Sequence, residues 1–394
     1  MRRFLPLLAA VLIALMAVFA AGCQQAAKQE TKEEAGTEVK EPLKIGAVLS
    51  LTGNSAPLGD PEKKTLEMEV EAINKEGGID GRKVELYIED DQSDPAKGKV
   101  AADKLVDEKK VNVIIGGSIT PVSMVIKDVA IKAKIPQVAP AAGITITQPD
   151  YKWVFRTAQS DALAVRKVIE YLSQTLKIKK FAIINVDSSF GNSGAAVLKE
   201  LAPGVGMEVV GEEKYAPGST DVTAQLTKLR STDAEVLVIW DTSKGSATVA
   251  KNAAQLGMSI PLVGSHGIAS KVFIDLAGAN AENVAFPAGK ILDSSSASGE
   301  QKSVLDKFIA DYKAKYGSNP DTFAGHAYDA LHIIVNAAKK AGNDPAKLRD
   351  EIEKTKNFVG ITGIFTYTPT NHDGLKTSDL VMWTIKTGKW MTTK

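Results

Sequence analysis

Short apolar runs alternate with stretches of helical period along most of this chain. Lys44 to Leu49, Val84 to Ile88, Val111 to Ile115 and Ile135 to Val138 each read as a buried strand, being brief, apolar and separated by segments of helical pattern. After Pro61, the residues Leu66, Val70 and Ile73 fall at i, i+4 and i+7, which predicts a helix that Gly77-Gly78 stops. Asp94-Pro95 predicts the start of the next, with proline in a first turn that needs no donor. The pattern then restarts. Val165, Val168, Ile169, Leu172 and Leu176 form one helical stripe, and strands follow at Phe181 to Val186, Glu208 to Gly211, Val236 to Trp240 and Pro261 to Gly264. Nearly continuous apolar strands joined by helical crossovers predict parallel sheets covered on both faces. Towards the end the chain turns helical over Gln301 to Tyr316, Asp321 to Ala341 and Pro345 to Lys354. These helices are expected to cover edge strands at Gly363 to Tyr367 and Leu380 to Ile385.

The body from Leu43 to Lys394 is too long for one core, since single cores stop growing near about 250–300 residues. Two consecutive sets of βα units therefore predict an α/β fold of two doubly wound parallel-sheet lobes joined by a hinge. The formal net charge of +1 gives no basic footprint for nucleic acid or anionic lipid.

The beginning of the chain carries a different signal. Arg2 and Arg3 precede an apolar run from Phe4 to Phe19, and Ala20-Ala21-Gly22-Cys23 ends it abruptly before Gln24-Gln25. This resembles a bacterial lipoprotein signal peptide with its lipobox, although Ala20 stands where that pattern most often has leucine. The resemblance implies removal of residues 1–22 and a thioether lipid anchor on Cys23. An ordinary signal peptide cut nearby, or a retained transmembrane anchor, are the alternatives; Pro6 and the small residues before Cys23 argue against a stable span. Cys23 is the sole cysteine, so no internal disulfide can form. The rest of 23–42 is rich in Lys and Glu with no aromatic residue, and is expected to be a disordered tether.

Several motifs of the body resemble a known family. They are Ile45-Gly46-Ala47-Val48-Leu49-Ser50-Leu51-Thr52-Gly53, Asn74-Lys75-Glu76-Gly77-Gly78-Ile79-Asp80-Gly81, Asp90-Asp91-Gln92-Ser93-Asp94-Pro95 and Ile114-Ile115-Gly116-Gly117. Phe155-Arg156-Thr157, Asp187-Ser188-Ser189-Phe190-Gly191 and Leu256-Gly257 follow in the expected order. The ordered set resembles the type I periplasmic binding proteins, and within them the leucine/isoleucine/valine-binding branch of ABC importer receptors. The resemblance implies a clamshell that closes on a small-molecule ligand and docks on an ABC permease with its ATPase. It implies an extracytoplasmic protein held at the bacterial membrane through Cys23, working as a monomer and without a cofactor. Lobe I would comprise 43–160 plus about 289–360, and lobe II 161–288 plus about 361–394.

Carried over residue by residue, the resemblance implies a ligand carboxylate held by hydroxyls and backbone amides of two first-lobe loops. Thr120 falls on the hydroxyl position, with Ser118 and Ser123 nearby; Ala142 offers backbone groups. Gly143 stands where a threonine is common, so that contact is missing or comes from Thr145. Leu58 supplies an aliphatic wall. In the second lobe Phe190 replaces a tyrosine, and His266 stands where amino-acid receptors of this kind carry a glutamate for the ligand ammonium. Loss of a buried charge partner costs about 3–5 kcal/mol. The ligand is therefore expected to be a small carboxylate whose second polar group meets His266, or else an amino acid whose ammonium uses Asp241.

Other chemistry finds little support. The nucleophile elbow, the phosphate loop and the dinucleotide fingerprint are missing from the sequence, which argues against an enzyme. Asp90-Asp91 and Glu212-Glu213 read as solvated loop charges. His326 and His332 are six residues apart on a predicted helix and so on different faces, and His372 reads as part of a turn; no metal site is expected. A receptor subunit that reports to a signalling system through the same clamshell stays as the alternative to transport.

Overall fold

The computed structural model describes residues 40–149 and 152–393, within one compact unit spanning Lys40–Lys394. The expected signal peptide, Cys23 and the tether up to Val39 lie outside the described residues. Along the chain, β1 (Leu43–Leu49), α1 (Ala56–Lys75), β2 (Val84–Asp90), α2 (Pro95–Asp107), β3 (Val113–Gly116), α3 (Thr120–Ala133), β4 (Gln137–Ala139) and β5 (Val154–Arg156) alternate first. A second series follows: α4 (Asp161–Glu170), β6 (Lys180–Val186), α5 (Ser189–Leu201), β7 (Glu208–Tyr215), α6 (Thr223–Arg230), β8 (Val236–Trp240), α7 (Ser243–Gln255), β9 (Leu262–Gly264), α8 (Lys271–Ala277) and β10 (Ala285–Ala288). Three helices, α9 (Gly299–Tyr316), α10 (Thr322–Ala341) and α11 (Pro345–Glu353), precede the short strands β11 (Phe358–Val359) and β12 (Ile364–Phe365) and the hairpin of β13 (Val381–Lys386) and β14 (Lys389–Thr392).

Two sheets result. The first, in the order β2-β1-β3-β4-β5, is parallel throughout. The second runs β14-β13-β10-β9-β8-β6-β7, parallel from β7 to β10 and closed by the antiparallel β13 and β14. Burial on both faces explains the continuous apolar strands. On the first sheet, Ile45, Ala47 and Ile115 pack with Leu331 and Ile334 of α10, while Val48 and Ile114 face Val122 and Ile126 of α3 on the other side. In the second sheet, Ile183 and Val238 share a core with Val165 and Val168 of α4.

Several local expectations are corrected. The first helix begins at Ala56, five residues before Pro61: Pro57 sits in its first turn, where no donor is needed, and Pro61 is carried inside the helix. The segment Gly363 to Tyr367 is no sheet edge: Ile364–Phe365 pairs only with Phe358–Val359, and Phe365 and Tyr367 pack into the first sheet's core. Leu380 to Ile385 is not an edge either, since β13 lies between β10 and β14. The C-terminal helices do not cover Leu380 to Ile385, whose Trp383 and Ile385 pack in another core, whereas Phe365 and Tyr367 do share a core with α10 and α11; α10 also lies on α1 and the first sheet. Asp91 is fully buried, and burial pushes its carboxyl up to about 6; Glu212 and Glu213 lie on β7 and pair with Lys199 and Lys228.

Candidate functional site

Helices that follow parallel strands present their N-termini at the strands' carboxyl ends, and here both sheets turn those ends towards one cavity of about 540 Å³. Its wall takes residues from the first turns of α1, α2, α3, α5 and α7. Two of these starts are closed by side chains: Asp94 accepts from the N–H of Ala96 and Lys97, and Ser188 from that of Gly191. The starts of α1, α3 and α7 have no side-chain cap, so their amide dipoles remain directed at the cavity.

On the first-sheet side, Ser118, Thr120, Ala142 and Leu58 lie on the wall. The hydroxyls there also hold the loops in place. Ser118 Oγ accepts from the N–H of Ser50 at 3.0 Å and donates to Glu62, a fully buried acid whose pKa burial drives well above the usual range. Ser123, off the wall, donates to the carbonyl of Gly117 at 2.8 Å. Thr120 Oγ1 accepts from the N–H of Gly143 at 3.1 Å. Gly143 and Thr145 do not reach the wall. A Cβ on Gly143 would sit 2.2 Å from Thr120 Cγ2, so this loop has no room for a threonine at 143 while Thr120 occupies its place. The carbonyl of Thr145 instead accepts from Lys127. Behind the wall, the buried Arg156 donates to Asp373 and to the carbonyls of Ala141 and Gly143.

The second-sheet side carries Phe190, Asp241 and His266. Asp241 accepts from Tyr215 Oη at 2.7 Å and from the N–H of Thr242 at 2.6 Å, and burial raises its carboxyl to about 6. His266 opens a short 3-10 turn capped by Ser265. Phe190 and Trp240 meet its ring edge-on at 5.5 and 5.8 Å. Burial holds the imidazole neutral, lowering its pKa to about 3, and His326 and Arg156 push the same way. Lys244, the cavity's only lysine or arginine among the described residues, donates to the carbonyl of Gly53 at 3.0 Å.

Sequence reasoning missed His326. It also lines the cavity, with its pKa lowered to about 3 by burial. The spacing to His332 settled only that the two face differently. Indeed His332 points away to Glu69, 2.9 Å off. The usable signal was Asp321 as helix cap, which places His326 near the start of α10, at the end that opens on the cleft. His372 is no exposed turn residue: it is buried, stacked on Phe155 and bonded to the carbonyl of Val154. Among the described residues no cluster of His, Cys, Asp and Glu could hold a metal ion, and no helix is long and apolar enough to cross a membrane.

Two wound sheets that share a cleft of dipoles and mixed side chains define a solute-binding clamshell. Residues 42–389 match the family model described as periplasmic binding protein, and the chain belongs to that family. It is similar to the Leu/Ile/Val-binding protein homolog 3 of Brucella melitensis, at 28% identity over 86% of this chain and 91% of the relative. Its fold is similar to that of an extracellular ligand-binding receptor from Rhodopseudomonas palustris, with TM-score 0.84, 29% identity and coverage of 89% and 99%. It is also similar to the branched-chain amino acid transporter substrate binding protein LivJ from Streptococcus pneumoniae, solved in complex with isoleucine, with TM-score 0.80, 29% identity and coverage of 90% and 99%. Proteins of this family work outside the cytoplasm, bind small molecules and serve ABC permeases; they are solute-binding proteins rather than enzymes.

Proposed function

We propose that this protein is a substrate-binding lipoprotein of an ABC importer, anchored through Cys23, that captures a small carboxylate-bearing solute and delivers it to its permease and ATPase. The uncapped start of α3, with Thr120 and the backbone at Ala142 on the same wall, is the observation that carries this reading: it offers an anion N–H groups and the positive end of a helix dipole. Opposite, His266 is neutral and can give or take a hydrogen bond, but cannot act as the counter-charge of an ammonium. An acid without an ammonium fits that pair of walls. The two lobes we infer are each built on one sheet, and the described chain crosses between them near 157–160, again near 289, and again beyond Leu375, which packs with the first sheet.

A second reading is favoured by the relatives, whose names specify leucine, isoleucine and valine. In it Asp241 takes the ligand ammonium. A thermal-shift screen of the protein against aliphatic, aromatic and dicarboxylic acids in one arm and amino acids in the other separates the two. Saturation to about a hundred times Kd adds about 2.7 kcal/mol, enough to move the melt. Stabilisation by acids is the expected result; stabilisation by leucine-like amino acids alone sinks the proposal. For the anchor, Cys23→Ser should move the protein from the membrane pellet to the soluble fraction, and a variant that stays in the pellet removes Cys23 from the account.

A further inference from the structure

The rim of the cleft is joined by groups of the protein itself. Lys244 stands in the first turn of α7, on the second-sheet side, and its Nζ donates at 3.0 Å to the carbonyl of Gly53. That carbonyl belongs to the loop from β1 to α1, on the first-sheet side. A second approach lies close by in sequence: a Cβ on Gly218, in the loop after β7, would sit 2.6 Å from Asn54 Nδ2. Lys244, Asn54 and Gly218 are exposed and also line the cavity, so they mark the place where it meets solvent.

The acceptor of this bridge is held in advance. Asp90 accepts from the N–H of Leu51 and Thr52 at 3.0 and 3.2 Å, and from the Thr52 hydroxyl at 2.7 Å. Ser93 accepts from the N–H of Ser55 at 3.0 Å and donates to the carbonyl of Thr52 at 2.8 Å. Gly53 has φ +84°, and a Cβ there would lie 2.6 Å from the carbonyl oxygen of Gln92, so the turn requires glycine. The Gly53 carbonyl is thus fixed before the lysine arrives, and only the flexible side chain loses freedom when the bond forms. Among the described residues that carbonyl is the one partner of the Lys244 ammonium.

We propose that Lys244 and the braced Gly53 loop form a latch across the mouth of the clamshell, which favours the closed form and slows the release of a captured solute. The latch needs no ligand atom, so it acts alike on acids and amino acids and on the protein alone. A lysine that served as the ligand's counter-charge would behave differently: it would speed encounter with an anion and leave the free protein unaffected.

Pulsed spin-resonance distances test the latch without a ligand. Nitroxides are placed at Val100→Cys on α2 and Ala224→Cys on α6, both exposed and on opposite sides, in the full chain carrying Cys23→Ser. Lys244→Met keeps the stem and loses the donor. It should raise the ratio of the longer to the shorter distance about threefold or more, the size expected for one exposed hydrogen bond, and Lys244→Arg should restore it. Stopped-flow release is then measured for leucine, isovalerate and benzoate. Each that binds the wild type should leave Lys244→Met about threefold or more faster, with its association rate unchanged. Identical distance distributions in the wild type and Lys244→Met overturn the proposal. Slower association with unchanged distances also overturns it and makes Lys244 a counter-charge for the ligand.

Discussion

The two walls of the cavity are made from the same βα-turn geometry and differ in how their polar side chains are committed. On the first-sheet side Ser118 serves Ser50 and Glu62, Thr120 serves Gly143, and behind them Arg156 is tied to four neighbours. On the second-sheet side His266 makes no hydrogen bond among the described residues and is held by the edges of Phe190 and Trp240. A wall whose side chains are occupied recognises through backbone amides and dipoles, which suit any carboxylate. A wall that keeps one polar side chain uncommitted, His266, can choose among carboxylates. In the function proposed above, holding an anion and selecting it thus fall to different sheets.

The largest disturbance comes from collapsing the selective wall. A Cβ on Gly194 would lie 2.0 Å from Trp240 Nε1, so Gly194→Val must displace the indole against which His266 rests. We expect affinity for the acid ligand to fall by about a hundredfold or more with a lower melting temperature, as for an overpacked core. Unchanged affinity would mean that this wall does not touch the ligand.

Thr120→Ala should be milder but should act on both binding and stability. It removes the hydroxyl proposed to meet the ligand and leaves the buried N–H of Gly143 without its acceptor, which costs about 1–3 kcal/mol in the unliganded protein. Affinity should drop about tenfold and return in Thr120→Ser. His266→Ala sharpens the contrast between walls. It too should weaken binding by about tenfold, yet leave the unliganded melt nearly unchanged, because no hydrogen bond of the folded protein is lost. If the melt fell as far as in Thr120→Ala, the distinction between committed and uncommitted side chains would be wrong.

Protonation distinguishes the regions in a further way. Burial raises Glu62 well above its usual range, Asp161 and Asp329 to about 7, and Asp91, Asp241 and Asp321 to about 6, while His266 and His326 are lowered to about 3. The raised acids bind more protons folded than unfolded, so their stabilisation is complete below about pH 4 and is lost as pH rises through about 6 to 7. The histidines act oppositely, losing stability as pH falls below about 6.5, but they are fewer. The unliganded melting temperature should therefore rise by a few degrees between pH 8 and pH 5. A melt that falls steadily over that interval would contradict the burial of these acids.

Much of this architecture was legible in the sequence because strand burial and helix period leave direct marks: the strand at Val236 to Trp240 has the predicted bounds, and Asp94-Pro95 starts its helix. Less legible was whatever depends on long-range contact. Phe365 and Tyr367 join the first sheet's core although they follow the second series of strands, and nothing local in their pattern records that return. Of the site, the loops were legible as positions in a motif, but the uses of their groups were not. Ser118 and Thr120 look alike as hydroxyls until Glu62 and Gly143 are seen beside them. His326 was invisible for the same reason, its role being set by a helix that crosses to the cleft from far along the chain.

The smallest expected effect discriminates most sharply between the two ligand classes. Asp241 lines the cavity, yet its oxygens accept from Tyr215 and from the N–H of Thr242, and its pKa near 6 shows how poorly its charge is supported. In Asp241→Asn the amide oxygen can still accept from Thr242 and the tyrosine can still find a partner, so the fold should tolerate the change. If the ligand is an acid without an ammonium, removal of a nearby negative charge should alter affinity by less than about threefold, in the direction of tighter binding. If the ligand is an amino acid, the same substitution removes the buried carboxylate of the wall, Asp187 being an exposed one, and should cost about 3–5 kcal/mol, more than a hundredfold in Kd. Titration of Asp241→Asn with the best acid and the best amino acid from the screen therefore decides whether the selective wall recognises a charge or a hydrogen bond.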